Sequence, residues 1–414
     1  MIGFDTGFFM RFLEGRGNMQ TRVERHIIIQ SKHLEEICHK SKNLYNYVNY
    51  LVRQHFFKTR EVLDEYELTI QLAKEDQIDY RELPAQTSQQ VIKLLFKNWK
   101  SFLKANYDYN EHPEKYKKRP RIPGYKKKDG LNIVIFTNQQ CRLKDGYIQF
   151  PQASSLPPLK TKVDNLHQVR ITPQATCFVI EVVYHKEEIK AEVEEDNFLS
   201  VDLGLSNLVT TINNVGEEPF IINGRIIKSY NRLYNKLKVR QQAFIGEKGT
   251  SKEIKRLTFR RNNKVSDYLH KVSRYIIDYC IEHKLGTIVI GNNKDWKQEI
   301  KLGKVNNQNF VSIPFERLIS MIEYKAIDVG IKVTVREESY TSKVDHLAYE
   351  TMEHHESYIG KRIKRGLFKS STGKLINADV NGAIGIARKV FGDSVIKTIL
   401  DSGAGLVPVK VNII

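Results

Sequence analysis

Hydrophobic positions recur along this chain with more than one period, and each period marks off a stretch of it. Residues 19–30 (MQTRVERHIIIQ) alternate and then run β-branched, the pattern of a first strand opening at a second methionine. From Ser31 to about Asn110 apolar side chains return every three or four positions, first Leu34, Ile37 and Cys38, then Leu44, Tyr47, Val48, Leu51 and Val52, which predicts helix. A second helix is expected after LPAQTS, with Thr87 or Ser88 capping its first turn, continuing through Val91, Leu94, Leu95, Trp99, Phe102 and Leu103. Short strands then follow to about Val183 (LNIVIF, GYIQF, HQVRIT, CFVIEVVY), separated by turn residues, and read as a small β-domain. The acidic run HKEEIKAEVEED (185–196) reads as a solvated linker and domain boundary.

After the linker the pattern becomes α/β. FLSVDLGLSNLVTTI (198–212) predicts a strand, a tight turn near Gly204 and a second strand; EEPFIING supplies a third, and a long helical stretch follows Gly224. LGTIVIGNN (285–293) reads as a buried strand, 315–329 as a helix, GIKVTVREES (330–339) as a strand, and a last helix opens at Asn377.

Composition narrows the class. With 414 residues, 41% of them hydrophobic, the chain can bury a core and is expected to form two or three domains. No apolar run approaches the roughly 18 residues a membrane helix needs. The opening MIGFDTGFFMRFLEGRGN lacks a basic start and contains Asp5, so it is not read as a secretory signal; a cytoplasmic protein with no membrane partner is expected. Cys38, Cys141, Cys177 and Cys280 lie far apart with no Cys-x-x-Cys pair, which argues against a zinc ribbon and a disulfide framework and fits small buried hydrophobes.

The net charge of +18 points to nucleic acid, and its distribution sharpens the reading. KKRPRIPGYKKK (117–128) sets Lys117, Lys118, Arg119, Arg121, Lys126, Lys127 and Lys128 beside two prolines and a glycine, which predicts an extended arm suited to a phosphate backbone. Between Arg225 and Arg274 there are 15 Lys or Arg against three acids. A merely solvated face would mix signs, so Arg232, Lys236, Arg240, Lys255, Arg256, Arg260, Arg261 and Lys264 are candidate phosphate contacts. Tyrosines interleaved with lysines in the helical lobe (Tyr45, Tyr47, Tyr50, Tyr107, Tyr109) can stack on bases, but a stripe at helical spacing is more often core.

Two acids stand where carboxylates are awkward. Asp202 lies inside the apolar strand Phe198, Leu199, Val201, Leu203, where it needs a partner or a metal to offset its desolvation. Asp379 falls in the first turn of the last helix, where the dipole alone would accommodate it. A third carboxylate would complete a site for hard divalent cations, a pair of which activates water and stabilises the leaving oxygen in phosphodiester cleavage.

VDLGLSNLVTT, IVIGNNKDWKQEIKLGKVNNQNFVSIPF, EESYTSK, GKRIKRGLFKSSTGKLINADVNGAIGIARKV and RPRIPGYKKKDG together resemble the TnpB (OrfB) proteins of insertion sequences, relatives of type V CRISPR effectors, from about Met19 to Val390. The resemblance implies guide-RNA-directed cleavage of target DNA by a RuvC-like nuclease, a transposon-derived guide RNA, and Mg²⁺ or Mn²⁺ held by Asp202, a glutamate and Asp379. Most members carry that glutamate at the end of the strand reading IVIGNN, where this chain has Gly291. The chain is closest to a subgroup in which the glutamate is relocated to EESYTSK, so that Glu338 or Glu337 takes the role. Alternation along the strand does not choose between them, and Glu338 is preferred because it directly precedes SYTS, where the strand should end beside Asp202. The cysteine pairs of many relatives are absent between Tyr340 and Asn377, so no zinc is expected and His346, His354 and His355 are read as surface residues. MIGFDTGFF looks like a PIN-nuclease strand too short to fold, which makes Asp5 irrelevant to catalysis.

The expected fold is a multidomain α+β and α/β chain: a small β-barrel domain interrupted by a helical lobe, then an RNase H-like (RuvC) domain. Residues 1–18 are read as an extension or fusion scar, with translation starting at Met1 or Met19. The first strand spans 19–30, the helical recognition lobe 31–116, the rest of the β-domain and linker 117–195, and the nuclease domain 196–414 with a basic insert loop at 340–376. The alternatives are a nuclease-dead, guide-directed DNA-binding repressor and a transposase acting directly in strand transfer.

Overall fold

The computed structural model describes residues 19–246, 249–292, 313–364 and 366–413. The expected extension at 1–18 and the whole of the KDWKQEIKLGKVNNQNFV stretch lie outside the described residues. The chain divides into two compact units after Glu187.

In the first unit, strand β1 (Met19–Ile28) leads into helices α1 (Lys32–Thr59), α2 (Glu65–Lys74), α3 (Ile78–Arg81) and α4 (Ala85–Glu111). Ser31 caps α1 by accepting from the Leu34 amide, and α1 stops at Arg60, which is left-handed at φ 63°. Helix α4 begins earlier than its periodicity predicts. Pro84 stands at the cap, and Thr87 and Ser88 are buried inside the helix, Ser88 Oγ donating to the Tyr80 carbonyl at 2.7 Å.

The chain then forms β2 (Val134–Thr137), β3 (Arg142–Lys144), β4 (Tyr147–Gln149), β5 (Leu159–Lys160), β6 (Leu166–Pro173) and β7 (Phe178–Glu187). β1, β7, β6 and β2 make one antiparallel sheet in that order, and β3, β4 and β5 a second. Among the described residues neither sheet closes into the expected barrel. Nor are helices and strands separate bodies: Leu44, Leu95 and Trp99 share one core with Phe136, Ile171 and Val182. The helical segment is inserted into the sheet's sequence, yet both bury their apolar faces together.

The second unit opens with β8 (Glu194–Leu203), β9 (Asn207–Asn213) and β10 (Phe220–Asn223), an antiparallel meander. Half of the acidic run is therefore strand, with residues 188–193 between β7 and β8. Ile189 and Ala191 even donate backbone bonds to Asp328 and Val329. Helices α5 (Arg225–Ile245) and α6 (Lys252–Glu282) precede β11 (Leu285–Gly291), α7 (Phe315–Ile327) and β12 (Lys332–Arg336); β13 (Lys361–Lys364), β14 (Leu367–Lys369) and β15 (Leu375–Asn377) lead to α8 (Ala378–Phe391), α9 (Ser394–Asp401) and β16 (Val409–Val411). The six-stranded sheet runs β12-β11-β8-β9-β10-β16, with β11 and β12 parallel to β8. A parallel strand needs cover on both faces, which is why β11 is buried throughout and reads as an unbroken apolar run.

One face packs Leu199, Val201, Ile288 and Ile290 against α6 and α7; Phe198 and Ile212 on the other pack against α8 and α9. The segment 340–376 is not a loop. It contains the three-stranded sheet β13-β14-β15, whose Phe368 and Ile376 join the α8 core.

Candidate functional site

The alternation of β8 positions the first acid. Leu199, Val201 and Leu203 face one core, so Ser200 and Asp202 face α8. Ser200 Oγ donates to the Ala383 carbonyl at 2.7 Å, fixing the helix against the strand. Gly382 allows the close approach at the next step along, since a Cβ there would lie 3.1 Å from Asp202 Oδ2.

Asp379 enters from the start of α8. Asn377 caps the helix, its Oδ1 accepting from the amides of Asp379 and Val380, which frees the Asp379 carboxylate to point elsewhere. Oδ2 accepts from Asn207 Nδ2 at 2.7 Å, and Oδ1 lies 3.6 Å from Arg362 Nη2 on β13.

The third acid follows β12. Gly291 pairs with Arg336, and Val333 and Val335 pair with Ile288 and Ile290. Paired residues share a face, so Arg336 and, two residues on, Glu338 lie on the α8 side with Asp202. A Cβ at Gly291 would stand 2.6 Å from Glu338 Oε2 and 2.5 Å from Ile386 Cδ1. The Glu338 carboxylate thus occupies the space into which a side chain at 291 would project. Glu337 is exposed and accepts from Ser339 Oγ.

Crowding of three acids has an electrostatic signature. Burial, then the charges of Glu338 and Asp379, hold the Asp202 carboxyl well above its ordinary 3.8, with Arg362 opposing. Burial pushes Glu338 up from 4.5 to about 7, against the pull of Lys389. A positive ion among these oxygens would relieve both penalties, and an all-carboxylate set suits a hard divalent cation. Among the described residues, however, no three His, Cys, Asp or Glu side chains are drawn together tightly enough to enclose an ion as they stand. The donor chemistry fits such a cation.

Sequence reasoning did not single out Asn207, Arg362 or Lys389. Asn207 and the glycine spacing of NGAIG were visible signals, whereas Arg362 and Lys389 come together with the acids only through the fold.

His346 corrects the surface reading. It is fully buried, Nε2 donating to the Thr341 carbonyl at 2.8 Å and Nδ1 accepting from Arg388 Nη1 at 2.9 Å. Burial and the Arg388 charge push it down to about 4, so it is neutral. His354 is exposed and His355 half-buried. The four cysteines are free and buried, with thiols raised by desolvation.

The basic arm contains no helix or strand, and it is docked. Asn46 Nδ2 donates to the Lys126 carbonyl and Oδ1 accepts its amide; Asn49 Nδ2 and Arg53 Nη1 both donate to the Pro123 carbonyl, and Lys42 Nζ to that of Lys128. Backbone groups are consumed in this way, while Lys117, Lys118, Arg119, Arg121, Lys127 and Lys128 remain exposed. Lys126 Nζ lies over the Tyr45 ring at 5.1 Å. Tyr45 is core, whereas Tyr50 and Tyr107 are exposed.

The second basic region is a hairpin of α5 and α6 rather than one helix. The two are joined by Tyr234 to Thr258 and by Arg261 Nε to Asn231 Oδ1 at 2.6 Å. Arg261 is therefore a half-buried tie between helices, while Arg232, Lys236, Arg240, Lys255, Arg256, Arg260 and Lys264 are exposed. Arg256 is paired with Glu253 and Lys264 covers the Tyr230 ring.

The fold is that of a mixed α/β multidomain protein. Residues 181–297 match the OrfB_IS605 family, described as "Probable transposase", and residues 315–386 match the Cas12f1-like TNB domain. The CRISPR-associated endodeoxyribonuclease Cas12f2 of Micrarchaeota archaeon (strain CG1_02_47_40) is 25% identical over 234 residues, 52% of this chain and 41% of that protein. The TnpB-like protein ORF457 of Acidianus two-tailed virus is 26% identical over 213 residues, 49% of this chain and 44% of that protein. The chain spans less than half the length of these curated relatives. A solved Cas12f1-sgRNA-target DNA complex contains a similar fold, at TM-score 0.50 and 15% identity over 86% of this chain and 83% of that one. These matches bear out the resemblance to TnpB (OrfB) proteins. Among the described residues no helix is long and apolar enough to cross a membrane.

Proposed function

We propose that the protein is a guide-RNA-directed DNA endonuclease of TnpB type whose second unit is a RuvC-like nuclease. The sheet supports the RNase H reading: an antiparallel meander β10-β9-β8 continued by parallel β11 and β12, with helices on both faces. One observation carries the active-site assignment. Asp202, Glu338 and Asp379 come from three separate elements, and the charges of the latter two bear on a half-buried Asp202.

In this reading the three carboxylates hold Mg²⁺ or Mn²⁺. Such ions would activate water at neutral pH and stabilise charge on the leaving oxygen. Asn207 orients the Asp379 carboxylate by donating to Oδ2 and Arg362 by pairing ionically with Oδ1, and Gly291 and Gly382 leave room for the acids beneath α8. The exposed lysines and arginines of the arm and of the α5–α6 hairpin contact phosphates of guide RNA and target DNA, leaving sequence choice to base pairing. The intact set of acids favours cleavage over a purely binding repressor or a strand-transfer enzyme. Incubating target plasmid with the protein, with and without its co-purified RNA and with Mg²⁺ or chelator, tests this; cutting that needs neither RNA nor metal refutes it.

A further inference from the structure

The docked arm does more than carry charge. Arg53 Nη1 donates to the Pro123 carbonyl at 3.0 Å, which fixes the guanidinium in place. Its carbon lies 4.8 Å from the Tyr125 ring centroid and 5.7 Å from that of Phe57. Both aromatics are half exposed, Tyr125 at 49% and Phe57 at 51%. Two rings bracketing an immobilised cation, with much of their surface left in water, are costly to leave uncovered, and neither is needed to fill the core. Around them the arm supplies seven Lys or Arg between 117 and 129 against Asp129 alone.

We propose that Phe57, Arg53 and Tyr125 form a stacking platform for unpaired bases of a single-stranded nucleic acid, with Arg121 and Lys127 taking its phosphates. The proposal rests on the nucleic-acid reading above and specifies which form of the polymer this surface takes. Aromatic rings and guanidinium planes stack on any base whose face is free, whereas a duplex hides base faces between neighbours. The rigidity of the platform follows from the five bonds that Asn46, Asn49, Arg53 and Lys42 make to the arm's backbone. Little ordering of the protein remains to be done when a strand arrives.

The test uses the full chain and an end-labelled, mixed-sequence RNA oligonucleotide, together with an abasic version of it and a duplex of the same sequence. Wild type should prefer the base-bearing strand over the abasic one by about tenfold, the range expected for one stacked base. Tyr125→Ala and Phe57→Ala should each erase that preference without changing the salt slope, and Tyr125→Trp should restore it. Arg121→Ala with Lys127→Ala should instead lower the slope, by about 0.7 per charge removed for a single strand. Photocross-linking of a 4-thiouridine oligonucleotide should give adducts on peptides containing Phe57 or Tyr125. If the aromatic variants keep the preference, or adducts form only elsewhere, the platform is refuted while the endonuclease reading stands. Equal loss on duplex would likewise overturn it. A wild-type chain that binds no nucleic acid at all would overturn the functional reading itself.

Discussion

Glu338→Gln offers a test in which loss of activity and gain of stability must appear together. The carboxyl of Glu338 is raised from 4.5 to about 7 by burial beneath α8. One pKa unit corresponds to 1.36 kcal/mol, so without metal the ionised folded form is about 3 kcal/mol less favourable than a site insensitive to protonation. The direction follows from linkage. Between about pH 4.5 and 7 the folded state holds a proton that the unfolded chain has released, so the stability of the wild type falls as pH rises through this window and then levels off. Gln fills the same space with no charge to lose. In chelator at pH 8 the variant should therefore unfold at higher denaturant by up to about 3 kcal/mol, and the difference should shrink to nothing below about pH 4.5. Added Mg²⁺ should narrow the gap by stabilising the wild type more. The same variant should not cleave target DNA. Urea titrations across pH, paired with a cleavage assay, read both effects. A variant no more stable than wild type at pH 8, or one that still cuts, would mean that Glu338 is not the buried acid of this site.

Four further outcomes are expected. Asp202→Ala and Asp379→Ala should each abolish Mg²⁺-dependent cleavage and leave DNA binding by mobility shift nearly intact, whereas Glu337→Gln should lose at most about tenfold, roughly 1.4 kcal/mol of barrier. Elemental analysis should find no stoichiometric zinc, because the segment 340–376 offers no thiolate and His346 is engaged at both nitrogens. Because His346 is held down to about 4 against an ordinary 6.5, the unfolded chain takes up a proton first on acidification; stability should fall between those values, by up to about 3 kcal/mol, and His346→Gln should flatten that slope in acid-titrated denaturation. The purified protein should carry a defined RNA that is released by salt, and a preparation free of RNA at low salt that binds bare duplex as tightly would contradict the guide reading.

Much of this protein was legible from local pattern alone. Helical spacing named α1 and α4, the unbroken apolar run named β11 as a doubly covered strand, and Asp202 stood out because a carboxylate inside such a strand demands an explanation. Proline and glycine among seven basic residues foretold an arm without helix. These are properties of neighbouring residues, and neighbouring residues are all that periodicity can compare. Alternation in KVTVREES could not choose between Glu337 and Glu338, because either face of a doubly covered strand can be buried. In the structure the pairing of Gly291 with Arg336 sets Glu338 on the α8 side with Asp202 and leaves Glu337 exposed. The same long-range pairing buried His346, turned the supposed basic loop into a sheet that brings Arg362 to Asp379, joined the helical lobe to the β-sheet core, and diverted Arg261 from phosphate contact to a tie between helices. Each of these depends on which distant segments pack together, and packing energy belongs to pairs of surfaces that no single stretch of sequence contains.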